Sequence, residues 1–353
     1  ARLHAEAAVH PRRHILGPSF LSQGMNMVPK LVASAMKAAD AIISEQQPNG
    51  SIGPDVSYSY KAVWPLALAG RVEEATVLLD WFSATFLKAN GEFRCDEKVY
   101  APNQVNWRFL YPNAWLAIGA IHLERLDVAA RVASFIERHQ SENGGFPAAR
   151  DLVAGDVPQD MLSACMAGLV LLYQGKIEKA LGAGKFLIDL YEAQPEPTNR
   201  IYLNLTPSGR LLTEYPQDRS YMYLINKKLP EQPYFAPGAA MAFLSKLFMV
   251  TGKNEYLGYA ERYYRLALSP QSDIPLGLFD YPTSGKIGWG AGNLFRATGN
   301  SAYREVAEKV GAYLLKTQLA DGRWPRFRDN SDTNLAAEFC AWLIEMAKAL
   351  AKR

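Results

Sequence analysis

Two aspartates, Asp160 and Asp218, are candidate acid and base, because each precedes an apolar or aromatic segment where partial burial would raise a carboxyl pKa into a useful range. Tyr60 and Lys61 make a second candidate pair. A lysine beside tyrosines at the start of an apolar helix either has its pKa lowered for proton transfer or binds an anion. Around these four stand aromatics suited to walling a pocket, namely Tyr58, Trp64, Trp107, Tyr215, Tyr221, Tyr281 and Trp289. Polar groups suited to orienting a ligand are Asn106, Arg108, Arg326, Arg328 and Glu338, and the arginines could clamp a carboxylate by paired N–H bonds. Aromatic walls with a few convergent polar groups describe a small-molecule site. Bland readings stay open beside these: a solvated Lys61, arginines in exposed ion pairs, Asp332 and Asn334 capping the last helix, and Trp324 and Phe146 as core plugs.

Other chemistries lack their residues. All five histidines lie at or before His139, and Cys95, Cys165 and Cys340 are scattered without CxxC spacing, so no metal site is expected. There is no Gly-x-Ser-x-Gly elbow. Gly288-Trp289-Gly290-Ala291-Gly292 lacks the strand context of a phosphate loop and reads as small residues at a tight helix contact. No cofactor is expected. A net charge of +3 from 38 basic and 35 acidic residues argues against a nucleic-acid partner, and no run reaches the ~18–20 apolar residues that cross a membrane. The cysteine usage suits a cytoplasmic location.

These candidates are far apart in sequence, and a repeat explains how they could meet. A helix ends in an Asn/Asp-Gly turn, an apolar residue and a polar loop follow, and then comes a more apolar helix. The clearest copies are Gln46 to Gly53, Asn90 to Phe93, Gln140 to Pro147 and Gln318 to Pro325; weaker ones are Ser208 to Leu211 and Pro275 to Phe279. Opposite joints carry Gly70, Gly175, Gly252 and Gly299, where helix ends need positive φ. The alternation counts out six hairpins of about fifty residues each. Segments 73–88, 128–140, 254–268 and 301–318 are amphipathic and read as outer helices; 58–69, 109–123, 160–173, 235–250, 286–298 and 332–350 are more uniformly apolar and read as inner ones. This predicts an all-α (α/α)6 toroid over 1–353, with every loop before an inner helix opening on one mouth. A flap-like insertion at about 195–233 breaks the period, and Ile201–Leu205 with Arg210–Tyr215 around Thr206-Pro207-Ser208-Gly209 predicts a short β-hairpin there.

The Gln, short gap, Gly and aromatic pattern of Gln318 to Trp324 and Gln140 to Phe146 resembles the repeats of terpenoid-cyclase and protein-prenyltransferase toroids, and six-hairpin sugar-active enzymes use the same ring. The resemblance implies the architecture. The Asp-x-Asp-Asp acid of class II terpene cyclases, the prenyltransferase zinc ligands and the Cys and His pattern of lanthipeptide cyclases are missing. The leading expectation is a cofactor-free isomerase or cyclase that positions a bulky terpenoid- or polyketide-type molecule in an aromatic pocket. Alternatives are a hydrolase or lyase acting on acidic saccharides through Asp160 and Asp218, and a noncatalytic binding module.

Overall fold

The computed structural model describes residues 27–94, 108–150, 157–195, 199–229, 231–268, 285–326 and 331–351. Fourteen α-helices lie among them. The outer helices are α1 (Met27–Ile43), α4 (Val72–Phe86), α6 (Leu126–Arg138), α8 (Ile177–Glu192), α11 (Asn254–Leu268) and α13 (Ser301–Thr317). The inner ones are α3 (Val63–Leu68), preceded by the single turn α2 (Val56–Ser59), and α5 (Leu110–His122), α7 (Met161–Tyr173), α10 (Phe235–Thr251), α12 (Gly285–Thr298) and α14 (Asp332–Leu350); α9 (Ser220–Tyr223) is a single turn of the insertion.

Sequence character decides which wall a helix joins. In α7 every residue from Met161 to Leu172 is buried, so it has no solvent face. In α6 only one stripe is buried, Val128, Ala129, Val132, Ala133, Phe135 and Ile136. Each inner helix packs on the next, α3 on α5, then α7, α10, α12 and α14, and α14 returns to α3. The chain is therefore an (α/α)6 toroid. Glycines set the spacing where inner backbones approach: a Cβ on Gly238 of α10 would meet the Lys286 carbonyl carbon of α12 at 2.5 Å. The five-residue Gly288 to Gly292 string lies within α12, in the tight contact its composition suggests.

The repeated turn works as a latch. Gln46 Nε2 donates to Gly50 O within its own turn and to Glu74 O of α4; Gln140 donates to Gly144 O and to Lys179 O of α8. Gln318 donates to Gly322 O and to Ser34 O of α1, so the last turn grips the first helix and closes the ring. The glycine is required twice over at these turns. Gly144 has φ 84°, and a Cβ there would lie 2.0 Å from Gly182 O of α8; Gly322 has φ 93°, with Lys37 O at 2.4 Å.

The insertion carries the expected hairpin next to its turn and makes further pairings beyond it. The Thr206 to Gly209 turn forms, with Gly209 N donating to Thr206 O, and Leu205 bridges Leu211. The flanking residues bond across it, Thr206 N donating to Arg210 O and Leu212 N to Asn204 O, and the outer parts take further partners: β2 (Arg200–Tyr202) pairs antiparallel with β4 (Leu224–Asn226), and β3 (Asn204–Leu205) with β1 (Gln159–Asp160). Gly209 meets nothing within 4 Å of a built Cβ, so this weak copy of the repeat is a turn of the insertion and not a latch. The corresponding glutamine, Gln194 after α8, clamps both the N–H and C=O of Tyr202 instead. The copy at 275–279 lies outside the described residues.

Gly144→Ala is expected to cost about 3 kcal/mol in urea unfolding, from a left-handed backbone plus a clash with α8, whereas Gly175→Ala, with φ 71° but open space around it, should cost about 1 kcal/mol. Equal losses would show that the latch contact is not what requires glycine.

Candidate functional site

Each of the six inner helices brings a side chain at or near its N-terminus to one cluster: Lys61 before α3, Arg108 before α5, Asp160 before α7, Phe235 on α10, Lys286 on α12 and Glu338 on α14. Glu338 is its hub. Lys61 Nζ lies 2.5 Å from Glu338 Oε2, and Lys286 Nζ pairs with Oε1. Lys286 Nζ is also 5.7 Å from the Tyr111 ring centre, 5.6 Å from Phe235 and 5.0 Å from Trp342, while Lys61 Nζ is 5.7 Å from Tyr60. Arg108 donates Nε–H to Asp160 Oδ1 at 3.0 Å, and its guanidinium lies 5.2 Å from the Phe235 centre. One phenyl ring is thus shared by two cations.

Neighbouring backbone holds these groups still. Lys61 N donates to Asn334 Oδ1, and Asn334 Nδ2 to Ser57 O, tying α2 and α14 together. Asp160 is the N-cap of α7, its Oδ1 accepting from Leu162 N and Ser163 N. Met161 N donates to Leu203 O, so the insertion packs directly against this residue pair. Tyr221 of the insertion meets Phe235 edge-on at 5.9 Å.

Sharing one carboxylate between two buried lysines sets the charges. Burial alone would raise the Glu338 carboxyl, but Lys286 and Lys61 overcome it and bring it down to about 2. Burial works against the Lys61 ammonium, yet Glu338 and Tyr60 outweigh it and hold the pKa above the usual lysine range. Lys286 is the under-compensated partner: burial brings it down to about 8, because the pull of Glu338 is offset by Lys61 and Arg108. Burial, with Glu338 adding, pushes the Tyr111 phenol well up, and burial raises Tyr60, so both are neutral hydrogen-bond donors near pH 7.

Below this layer the ring axis is filled. Trp64, Trp115, Trp289 and Trp342 are fully buried and pack on one another at centroid distances of 4.5 to 6.2 Å. Trp342 Nε1 donates up to Glu338 Oε1, and Trp289 Nε1 to Glu345 Oε2, each at 3.3 Å. Glu345 belongs to a second ion cluster with Lys246 and Lys348.

Several residues singled out from sequence lie elsewhere. Trp64 and Trp289 are core of the plug and not pocket wall, because their rings are enclosed by the other two tryptophans. Asp218 is exposed on a 3-10 turn at 217–219 and lacks the burial on which its acid/base role rested. Tyr58 donates to Glu45 at 3.3 Å, Tyr215 stacks on Tyr223 at 5.3 Å, and Arg326 is exposed. The cap of α14 is Ser331, whose hydroxyl accepts from Asn334 N, leaving the Asn334 side chain free to bind α2; Asp332 is exposed. Trp324 and Phe146 are buried plugs. Asn106, Trp107, Tyr281, Arg328 and Cys95 lie outside the described residues. Among the described residues no group of three His, Cys, Asp or Glu is placed to hold a metal ion, and no helix is long and apolar enough to cross a membrane. Lys286 and Trp342 were missed. The available signal was a lone lysine opening a Gly-rich inner helix, beside a tryptophan four residues after Glu338.

No family model and no curated protein matches the chain. Solved structures do. A D-mannose isomerase is similar at 12% identity and TM-score 0.62, over 90% of this chain and 97% of its own. A GH76 α-mannanase of Bacteroides thetaiotaomicron is similar at 11% and 0.58, over 92% and 96%, and a type II terpene cyclase from Scytonema at 12% and 0.56, over 92% and 99%. At such identities the likeness establishes the toroid.

The Glu338 charge stabilises the fold above the unfolded carboxyl value of 4.5, and that contribution fades as pH falls toward 2. Lys286 acts in the opposite sense, since burying its charge costs stability below about 8 and the cost fades as pH rises toward 10.5. Between pH 4.5 and 2 the wild type is expected to lose about 3 kcal/mol more stability than Glu338→Gln, measured by urea unfolding. Parallel pH curves would refute this account of the cluster.

Proposed function

We propose that this chain is an enzyme that moves a proton on a polar small molecule bearing an anionic group, at the mouth formed by the six inner-helix starts. The observation that carries this reading is Lys286, a buried lysine among three rings with a pKa brought down to about 8, where a useful fraction of the amine is free near neutral pH. Lys61 supplies positive charge for an anion, and Tyr60 and Tyr111 supply neutral donors. In this scheme Lys286 Nζ takes a proton from a carbon next to a carbonyl. The electron pair of the broken C–H bond moves onto the carbonyl oxygen, which the Lys61 ammonium and the phenols stabilise. One of the two phenols then donates its proton to the other face of that carbon and is restored by the Lys286 ammonium, which gives the epimer with no atom gained or lost.

The four-tryptophan plug favours a small polar substrate over a bulky terpenoid or polyketide, since the axis beneath the mouth is already filled by side chains. A two-carboxylate hydrolysis of acidic saccharides needs one protonated carboxyl beside an ionised one. Glu338, at about 2, is ionised; Asp160 Oδ1 caps α7 and Asp218 is exposed, so that assignment draws less support from the geometry. A D-mannose isomerase is among the proteins that share the ring, which fits isomerase chemistry on this scaffold.

Incubation in D2O with a panel of 2-oxo and hydroxycarbonyl acids, read by NMR, should show deuterium entering one carbon, and Lys286→Met should slow it at least about 100-fold while the protein stays folded. Because the free amine is the active form, kcat/KM should rise with pH and level off above about 8. No exchange with any acid, or full exchange in Lys286→Met, would sink the proposal.

A further inference from the structure

We propose that Arg108 and Asp160 form a jaw that reads a substrate hydroxyl, so that the molecule taken at the mouth is a polyhydroxylated acid. This rests on the anion-binding reading above and names its substrate class. The pair is only half made. Arg108 bonds Asp160 through Nε and Oδ1 at 3.0 Å. Nη2 lies on the same edge of the guanidinium, and a closed bidentate pair would put it on Oδ2. Instead Arg108 Nη2 and Asp160 Oδ2 are both buried without a hydrogen-bond partner, as is Ser163 Oγ on the first turn of α7. Asp160 itself is wholly buried, and an unpaired atom on such a charged group is costly.

The pair is held half-made from both sides. Asp160 Oδ1 is fixed by Leu162 N and Ser163 N, and its backbone by the β1–β3 ladder. Arg108 has φ 64°, unusual for a residue with a Cβ; its N–H is bonded to Ala148 O, and its guanidinium rests on Phe235. Backbone strain of this kind persists only where surrounding contacts impose it. The group that fits must accept from Nη2 and donate to Oδ2. A hydroxyl does both, a carboxylate or phosphate is repelled by Asp160, and a methylene leaves both atoms unpaired. Phe235 is shared with Lys286, so a hydroxyl in the jaw and an anionic group at the lysines can belong to one small molecule.

The test is calorimetric titration of the intact protein with D-gluconate, its monodeoxy analogues, and hexanoate as the hydroxyl-free control. Gluconate should bind the wild type at least about 10-fold more tightly than the analogue lacking the recognised hydroxyl, and Arg108→Lys, which keeps the charge but loses the fork, should bring that ratio to about one. Equal binding of gluconate and every deoxy analogue by the wild type overturns the jaw and leaves the cationic mouth standing. So does a preference that survives in Arg108→Lys. Binding of no acid at all overturns the anion-binding reading, and the jaw with it. If Arg108→Lys does not fold, the wild-type deoxy series decides alone.

Discussion

Four tryptophans on the axis of the ring are the constraint on which the rest of the structure depends. Six inner helices can close only around something, and here Trp64, Trp115, Trp289 and Trp342 supply it from α3, α5, α12 and α14. Their mutual contacts are worth about 0.5–1.5 kcal/mol per pair beyond the area they bury. The plug also fixes how deep a ligand can go. It lies between the layer where the inner-helix starts converge and the opposite end of the ring.

The final helix organises both ends. Glu338, Trp342 and Glu345 follow at intervals of four and three, so they share one face of α14. The tryptophan enters the plug, one glutamate takes two lysines above it, and the other takes Lys246 and Lys348 below. The lower cluster lies near helix C-termini, where cations are favoured by the macrodipole, and its ion pairs account for its charges. In the upper cluster the pairing is incomplete: Lys286 is left short of compensation, and Arg108 and Asp160 keep unused bonding atoms. That difference, not charge alone, is what distinguishes a candidate site from a structural ion pair.

The outer wall is held by a different device. Each glutamine latch satisfies its own turn and a carbonyl of the next outer helix at once, and the glycine beside it lets the two backbones approach. The device is local in sequence but bonds to the following hairpin, so it sets the order of the hairpins. Gln318 returning to Ser34 makes that order circular. Where the insertion interrupts the ring, Gln194 keeps the habit and grips β2.

Sequence alone determined the ring. Its period, its joints and the division into apolar and amphipathic helices all follow from local rules about glycine, caps and helical faces, and the observed helices fall within a few residues of those bounds, as at α7 and α11. It also brought the residues before the inner helices to one mouth, and Lys61, Arg108, Asp160 and Glu338 lie together there. Only the tertiary structure decided which way each side chain points. Lys61 and Trp64, three apart, share a face and were equally eligible for the pocket, and packing with three other tryptophans put the second into the plug. The same holds for Asp160 and Asp218, whose burial differs completely because one begins an inner helix and the other sits on an exposed turn. Lys286 became visible only once Glu338 and Lys61 stood beside it, since a charge shared among three helices belongs to no local segment of the chain.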